Sequence, residues 1–282
     1  MQQIDTIVAL RAQRAQWRLA GETLAFVPTM GNLHEGHLTL VEQAKTRADR
    51  VIVSIFVNPL QFGANEDLDR YPRTLQADLT KLQSMGVDAV FTPAVDEVYP
   101  RGLAAQTVVS VPGFSSILCG EKRPGHFEGV ATVVSKLFNM VQPDVAVFGK
   151  KDYQQLQVIR FMVEDLCMPI DIVGVDTKRE ASGLALSSRN GYLTPAERQQ
   201  AAVIYQSLQH IAHAIEQSES VAAAIEKTLT SWEAVGLTPD YLQVRRQGDL
   251  QSPSETDQEL IILAAAYIGN TRLIDNLAAT RK

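Results

Sequence analysis

The chain has 282 residues, of which 45% are hydrophobic, and its formal net charge is −6. This length supports two domains, each with its own core, and the acidic balance gives no field that would attract nucleic acid or an anionic membrane. Two isolated cysteines, Cys119 and Cys167, argue against a disulfide framework or a zinc knuckle. The first residues lack an apolar signal region and no run has the length of a membrane span, so we expect a cytoplasmic protein.

Strand-like apolar runs alternate with segments of helical periodicity over the first part of the chain. Strands are predicted at residues 24–27, 51–57, 89–91, 145–148 and 170–175, and helices at 38–48, 74–85, 129–140 and 153–166. This alternation predicts an α/β fold, a doubly wound parallel sheet with crossover helices. A β-branched run at 107–111 predicts one further, inserted strand.

The pattern changes after Thr194. Thr194-Pro195-Ala196-Glu197 has the form of a capped helix start, with Thr194 as N-cap and Pro195 at the first helical position. Two helices are predicted at 195–217 and 220–235, followed by strands at 241–246, 260–267 and 272–274. We therefore expect two domains, residues 1–176 and a smaller α+β domain at 177–282 that acts as a lid.

Two histidines lie three residues apart in the segment Val27-Pro28-Thr29-Met30-Gly31-Asn32-Leu33-His34-Glu35-Gly36-His37. The segment falls at a predicted strand-to-helix junction, where backbone N–H groups and the helix dipole attract anions. His34 and His37 share one face of the first helical turn, so both can point at one ligand. The pattern favours a phosphate site.

Two other interpretations of this histidine pair stay open. Two histidines at this spacing can share a metal ion, although no third ligand lies nearby in the sequence. They can also be residues of a helix start without chemistry, because short motifs give false positives. A dinucleotide fingerprint is excluded, since the glycines do not match G-x-G-x-x-G.

Further polar residues follow the other predicted strands. Open parallel sheets bind ligands at the carboxyl ends of their strands, so these residues are candidates for a site. Gln61 and Gln155 are amides that can bind a small polar substrate through hydroxyl and carboxylate groups without adding charge. Lys150 and Lys151 follow a glycine and suit phosphates. The segment 183–191 brings two hydroxyls and Arg189 between glycines, which can wrap a polyphosphate or simply form a linker.

Five segments, in order, carry a specific resemblance. They are Pro28-Thr29-Met30-Gly31-Asn32-Leu33-His34-Glu35-Gly36-His37, Phe56-Val57-Asn58-Pro59-Leu60-Gln61-Phe62, Tyr71-Pro72-Arg73-Thr74, Arg123-Pro124-Gly125-His126-Phe127 and Leu186-Ser187-Ser188-Arg189-Asn190-Gly191-Tyr192-Leu193. Together the chain resembles the pantoate–beta-alanine ligase family of adenylate-forming nucleotidyltransferases. The resemblance implies a Rossmann-like fold, and it equates His34-Glu35-Gly36-His37 and Leu186-Ser187-Ser188-Arg189 with the H-x-G-H and K-M-S-K-S elements of that superfamily.

The resemblance also implies a two-step reaction: pantoate and ATP form pantoyl adenylate and pyrophosphate, and β-alanine then displaces AMP to give pantothenate. ATP is the implied co-substrate, Mg²⁺ the implied ion and a homodimer the implied assembly. The implied catalytic residues are His37, His34, Lys151, Ser187, Ser188 and Arg189. The implied ATP-binding residues are Met30, Gly31, Asn32, Leu33, His34, Glu35, Gly36, His37, Gly149, Lys150, Lys151, Asp152, Lys178, Leu186, Ser187, Ser188 and Arg189. Gln61 and Gln155 would hold pantoate, with Gln61 also near β-alanine, and Asp78 is a candidate magnesium ligand that could equally be a solvated helix residue.

The chain departs from the family pattern at Lys150, where the family usually has Glu, and at Ser182, where it usually has Asp. Two alternatives remain: a nucleotidyltransferase that acts on a phosphate acceptor, and a non-catalytic nucleotide-binding protein. A phosphate acceptor would favour cations where this chain has the amides of Gln61 and Gln155.

Overall fold

The computed structural model describes residues 1–64 and 66–282, which form two compact units. The first unit comprises Met1–Lys150 and Val158–Asp176, and the second comprises Lys151–Gln157 and Thr177–Lys282. Over these described ranges, no helix combines the length and apolarity needed to cross a membrane.

In the described part of the first unit, six strands form one sheet. They are β1 (Gln2–Ile4), β2 (Leu24–Thr29), β3 (Arg50–Ile55), β4 (Ala89–Phe91), β5 (Val145–Gly149) and β6 (Asp171–Val175). The helices of this unit are α1 (Ile7–Leu19), α2 (Glu35–Lys45), α3 (Leu75–Ser84), α4 (Val95–Val98), α5 (Cys119–Lys122) and α6 (His126–Val141). Helix α7 (Tyr153–Asp165) contains residues of both units.

The strand order is β1-β4-β3-β2-β5-β6, and every neighbouring pair is parallel. This sheet confirms the predicted Rossmann-like α/β class. The chain moves outward from β2 through β3, and later returns to start β5 on the other side of β2. Ligands of such sheets bind outside the carboxyl ends of the strands at this reversal. The segments after β2 and β5, which carry Met30 and Lys150, begin at that edge.

Burial explains why the inner strands were visible in the sequence. Residues 24–27 of β2 and 51–54 of β3 are all buried, as expected for strands covered on both faces. Helix α2 adds Leu40, Val41 and Ala44 to the same core. By contrast, β1 and α1 were missed: β1 has three residues of which only Ile4 is buried, and α1 buries few side chains along a polar sequence.

The inserted strand predicted at 107–111 is wrong. In the structure this segment has no regular secondary structure and pairs with no strand in the described residues. The backbone N–H of Val109 donates to the side chain of Thr132 at 2.9 Å, and Val108 is 61% exposed. β-Branched residues favour extended backbone, but a strand also needs a partner edge.

The second unit contains a three-stranded antiparallel sheet in the order β7-β8-β9, with β7 (Leu237–Arg246), β8 (Glu259–Ile268) and β9 (Thr271–Thr280). Its helices are α8 (Pro195–Ala201), α9 (Val203–Glu216) and α10 (Val221–Ala234). The capping box of Thr194 and Glu197 is present as predicted. Helices α9 and α10 cover the sheet around the fully buried Trp232.

Two elements of this unit differ from their predictions. The helix predicted at 195–217 is divided at Ala202, where the flanking backbone bonds lengthen to 3.3 Å and 3.5 Å. The last strand extends over ten residues rather than three. Its length was hidden because the buried polar residues Asp275 and Asn276 interrupt the apolar pattern.

Candidate active site

The turn between β2 and α2 is held in place by a buried carboxylate. Gly31 and Asn32 both have positive φ, at 84° and 50°. The N–H groups of Asn32 and Leu33 each donate to an oxygen of Asp78 at 2.8 Å, and the hydroxyl of Thr74 donates to the same carboxylate at 3.1 Å. A Cβ on Gly31 would lie 3.3 Å from an Asp78 oxygen, so the turn and the carboxylate fit closely.

Asp78 is therefore not the solvated helix residue that we considered, since it is only 1% exposed. Its hydrogen bonds account for the carboxylate without a metal ion. The described residues contain no group of three or more His, Cys, Asp or Glu side chains placed to hold a metal. Mg²⁺ commonly binds through substrate phosphates and waters with few protein ligands, so ligation by Asp78 stays a prediction.

Asp78→Asn is expected to lower the free energy of unfolding by about 1–3 kcal/mol, because the new amide NH₂ faces a buried N–H donor. Urea unfolding measures this loss. The Mg²⁺ concentration for half-maximal activity should stay as in the parent if the carboxylate only holds the turn. A tenfold rise in that concentration without loss of stability would instead make Asp78 a metal ligand. Asp5→Asn, at an exposed site, is the matched control.

The side chains of the two histidines accept hydrogen bonds from backbone N–H groups at the start of α2. Nδ1 of His34 accepts from the N–H of Gly36 at 3.1 Å, and Nδ1 of His37 accepts from the N–H of His34 at 3.2 Å. The ring centroids are 4.1 Å apart. A ring nitrogen that accepts carries no proton, so each imidazole carries its proton on Nε2. The hydrogen bonds at the helix start thus set the tautomer of both rings.

This arrangement refines the predicted anion site. The N–H groups of His34 and Gly36, which the sequence suggested for a ligand, are bonded to the imidazoles. Glu35 is exposed and favourable at the positive end of the helix dipole.

Gln61 lies in a short 3-10 turn, Pro59–Gln61, that follows β3. Its Nε2 donates to Sδ of Met30 at 3.1 Å, and its Oε1 accepts from Nδ2 of Asn58 at 3.2 Å. The structure therefore brings together two predicted residues, Met30 and Gln61, that come from different strand ends. Asn58, which follows the same strand and was given no role in the sequence analysis, is 1% exposed and connects them to the core.

A second group of residues holds the backbone of Gln61. Its carbonyl oxygen lies 2.8 Å from Nδ1 of His126 and accepts from Arg123 at 3.3 Å. Arg123 also forms a two-bond ion pair with Glu66, at 2.6 Å for each bond. Burial alone would raise the pKa of Glu66, but the hydrogen bonds and charge of Arg123 outweigh it and lower that pKa. The charge of Arg123 is thus compensated by Glu66 beside the backbone of Gln61.

The end of β5 carries Gly149 and Lys150. Nζ of Lys150 pairs with Asp176 at 2.6 Å, and Asp176 is 89% exposed. The lysine that departs from the family pattern therefore has a surface partner within the first unit. Exposed pairs of this kind contribute about 0–1 kcal/mol.

The segment 151–157 belongs to the second unit. The carbonyl of Lys151 accepts from Nδ2 of Asn276 at 2.8 Å, while Asp152 is exposed. Tyr153 and Gln157 both donate to the carbonyl of Gln247, at 2.7 Å and 3.3 Å. Gln155 is half-buried between these anchored residues.

The segment with the two serines follows a tight hairpin in the second unit. The N–H of Leu186 donates to the carbonyl of Lys178 at 2.9 Å, and Gly183 turns the chain with a φ of 93°. Ser182, the second departure, accepts from the N–H of Leu184 at 3.4 Å, a turn bond that an Asp could also make. Lys178 itself is exposed.

Ser187 caps the 3-10 helix Ser188–Tyr192, accepting from the N–H of Arg189 at 3.2 Å. Asn190 is buried and donates to the carbonyl of Ala185 at 3.0 Å. A cavity of about 10 Å³, room for one water molecule, lies among nine residues of this unit: Lys151, Leu184, Ala185, Ser187, Asn190, Ile204, Leu273, Ile274 and Asp275. The predicted residues Lys151 and Ser187 therefore share one small cavity.

Arg179 anchors this segment to β9, and sequence analysis missed it. Its guanidinium forms two bonds with Asp275, at 2.6 Å and 2.9 Å, and donates to the carbonyl of Gly183 at 3.2 Å. It also stacks 3.6 Å from the ring of Tyr205. Both members of the ion pair are shielded from water, with exposed fractions of 16% for Arg179 and 5% for Asp275.

The parallel sheet, the histidine pair after β2 and the small antiparallel unit define a Rossmann-like α/β enzyme. A family model described as pantoate-beta-alanine ligase matches residues 2–278. The chain therefore belongs to the pantoate–beta-alanine ligase family, as the resemblance predicted, and it is a ligase.

Similar proteins match this chain over almost its whole length. The pantothenate synthetase of Shewanella loihica is 58% identical over 275 residues, covering 98% of both chains. The crystal structure of pantothenate synthetase from Thermus thermophilus has 46% identity and a TM-score of 0.91, covering 98% of this chain and 99% of that one. The pantoate-beta-alanine ligase from Francisella tularensis, complexed with beta-gamma ATP and beta-alanine, has 36% identity and a TM-score of 0.83, with 98% and 97% covered. These findings favour the ligase over the phosphate-acceptor transferase and the non-catalytic protein.

Proposed function

We propose that this enzyme joins (R)-pantoate to β-alanine in two ATP-dependent steps, forming pantothenate, a precursor of coenzyme A. In the first step a pantoate carboxylate oxygen bonds to the α-phosphorus of ATP, and the bond to pyrophosphate breaks. In the second step the amine of β-alanine bonds to the acyl carbon, loses a proton, and AMP leaves with the electron pair of the broken C–O bond. No nucleophile from the protein is required.

The histidine pair is the observation that carries this proposal. Adenylation places additional negative charge on the phosphoryl oxygens, and fixed N–H donors stabilise such charge without reorganisation. His34 and His37 meet this requirement because their Nδ1 bonds fix the proton on Nε2. The family resemblance implies that His37 is a proton donor; we infer that its larger role is electrostatic.

The remaining predicted residues have complementary tasks. Lys151, Ser187, Ser188 and Arg189 would bind phosphates, and Gly149, Lys150, Asp152 and Lys178 would bind the rest of the nucleotide. Gln61 and Gln155 would hold pantoate. Mg²⁺ would accompany ATP and neutralise phosphate charge.

An isotope experiment tests the adenylate. Pantoate labelled with ¹⁸O in its carboxylate should transfer one labelled oxygen to AMP. Exchange of labelled pyrophosphate into ATP should require pantoate and Mg²⁺ but not β-alanine. Formation of ADP, with the label in inorganic phosphate, would replace the adenylate with an acyl phosphate.

We also propose a homodimer and a cytoplasmic location, both on the family resemblance. Sedimentation equilibrium tests the dimer, and a single species near the 31.0 kDa of one chain would refute it.

A further inference from the structure

The side chain of Gln61 has a defined polarity in this structure. Its Oε1 accepts from Nδ2 of Asn58, so its Nε2 lies on the opposite side of the amide, where it donates to Sδ of Met30. An amide nitrogen has two hydrogens, and a thioether is a weak acceptor. The side of Gln61 that remains for a ligand is therefore a donor.

Asn58 determines this polarity because its own amide has only one satisfactory orientation. Its Nδ2 donates to the carbonyl of Gly129 at 3.1 Å as well as to Gln61. Its Oδ1 accepts from the N–H of Leu60 at 3.3 Å. A reversed Asn58 amide would place oxygen against a carbonyl and nitrogen against an N–H, which leaves buried polar atoms unpaired.

Close packing keeps these groups together. A Cβ on Gly129 would lie 2.3 Å from the carbonyl oxygen of Leu60, so helix α6 approaches the 59–61 turn as closely as only glycine permits. Asn58 cannot leave this position without breaking buried hydrogen bonds.

Tyr99 makes the shortest hydrogen bond to Asn58, with its hydroxyl donating to Oδ1 at 2.7 Å. It is 2% exposed, and burial raises the pKa of its phenol, so the hydroxyl stays protonated. Its ring packs 6.2 Å from that of Phe56, which belongs to the segment leading from β3 to the turn. Tyr99 thus contacts the Asn58 amide from a buried position.

We propose that Tyr99 is a positioning residue that, through Asn58, holds the Gln61 amide with its nitrogen toward the acid substrate. Gln61 then donates to an acceptor oxygen of that substrate, a carboxylate or hydroxyl oxygen of pantoate, and rejects a hydrogen-bond donor at the same place. This inference rests on the proposed function and adds the polarity of the contact and the residue that sets it.

A double-mutant cycle between Tyr99 and Gln61 tests the proposal. The variants are Tyr99→Phe, Gln61→Met and the two combined. For each variant, kcat/KM for pantoate and KM for ATP are measured. Tyr99→Phe alone should lower kcat/KM for pantoate by about 5- to 10-fold, the usual effect of one lost hydrogen bond, with KM for ATP unchanged. In the Gln61→Met background the same substitution should change kcat/KM by less than about 2-fold, because the amide through which it acts is absent.

Ser207→Ala is the matched control, because it breaks another buried hydrogen bond, from Nε1 of Trp232 to Ser207 at 2.9 Å, in the second unit. It should leave kcat/KM for pantoate unchanged. An equal effect of Tyr99→Phe in both backgrounds, an equal rise in KM for ATP, or no effect at all would overturn the proposal. A parent enzyme without pantoate-dependent formation of AMP would refute the proposed function instead.

Discussion

Replacing His37 with alanine is expected to slow formation of the acyl adenylate by a factor of about 10² to 10³, the usual cost of removing one fixed donor to a developing negative charge. Nδ1 of His37 accepts from the N–H of His34, so its Nε2–H is the donor that is lost. Single-turnover quenched flow with pantoate and ATP, without β-alanine, measures this step directly.

Two substitutions of His37 by an amide residue separate its function as an Nε2–H donor from its function as a helix cap through Nδ1. In His37→Gln the amide nitrogen can approach the position of Nε2, whereas in His37→Asn the amide oxygen can approach that of Nδ1. We expect His37→Gln to retain the higher adenylation rate and His37→Asn the higher stability. His210→Ala is the control, since His210 is exposed on α9. An adenylation rate of His37→Ala equal to that of the parent would eliminate this role.

The second large effect is expected in the C-terminal unit. Asp275→Ala leaves the guanidinium of Arg179 without its carboxylate partner in a poorly hydrated place. Breaking a buried pair by removing one member costs about 3–5 kcal/mol. The same change removes the anchor of the segment that carries Ser187 and Arg189, so KM for ATP should also rise.

The location of the two tryptophans permits a measurement restricted to this unit. Trp17 lies in the first unit and Trp232 in the second, so urea unfolding of a Trp17→Phe parent reports on the second. Removing both charges, with Arg179→Met and Asp275→Leu together, should recover much of the stability but not the KM.

Asp249→Ala is the matched control for this pair. Asp249 binds Arg246 in the same unit, and both side chains are about 40% exposed. Its loss should cost at most about 1 kcal/mol. If Asp275→Ala were no more destabilising than this control, Arg179 would not be an anchor.

The sequence was most informative where local pattern and structure coincide. Strands β2 and β3 were visible because sheets covered on both faces need continuous apolar runs. The start of α8 was visible because Thr194 and Glu197 bond within one helical turn. His34 and His37 were singled out by their spacing at a predicted strand-to-helix junction, and in the structure they cap the start of that helix.

The sequence was misleading where strand formation depends on a pairing partner. The run 107–111 has strand-forming residues but pairs with no partner edge in the described chain, whereas β9 pairs with β8 over ten residues although it includes Asp275 and Asn276. Strand propensity depends on the neighbour that a segment meets, which its own residues do not specify.

By itself the sequence determined the α/β class, the family and the residue types available for binding phosphates and a small acid. Only the tertiary structure decided how they are held. Asp78 accepts from Asn32 across 46 positions, Tyr99 donates to Asn58 across 41, and Arg179 binds Asp275 across 96. The local amino-acid sequence around an Asp or a Tyr is the same whether its side chain is solvated, binds a metal ion or holds a turn. Its partner decides the role, and folding supplies that partner from a distant part of the chain.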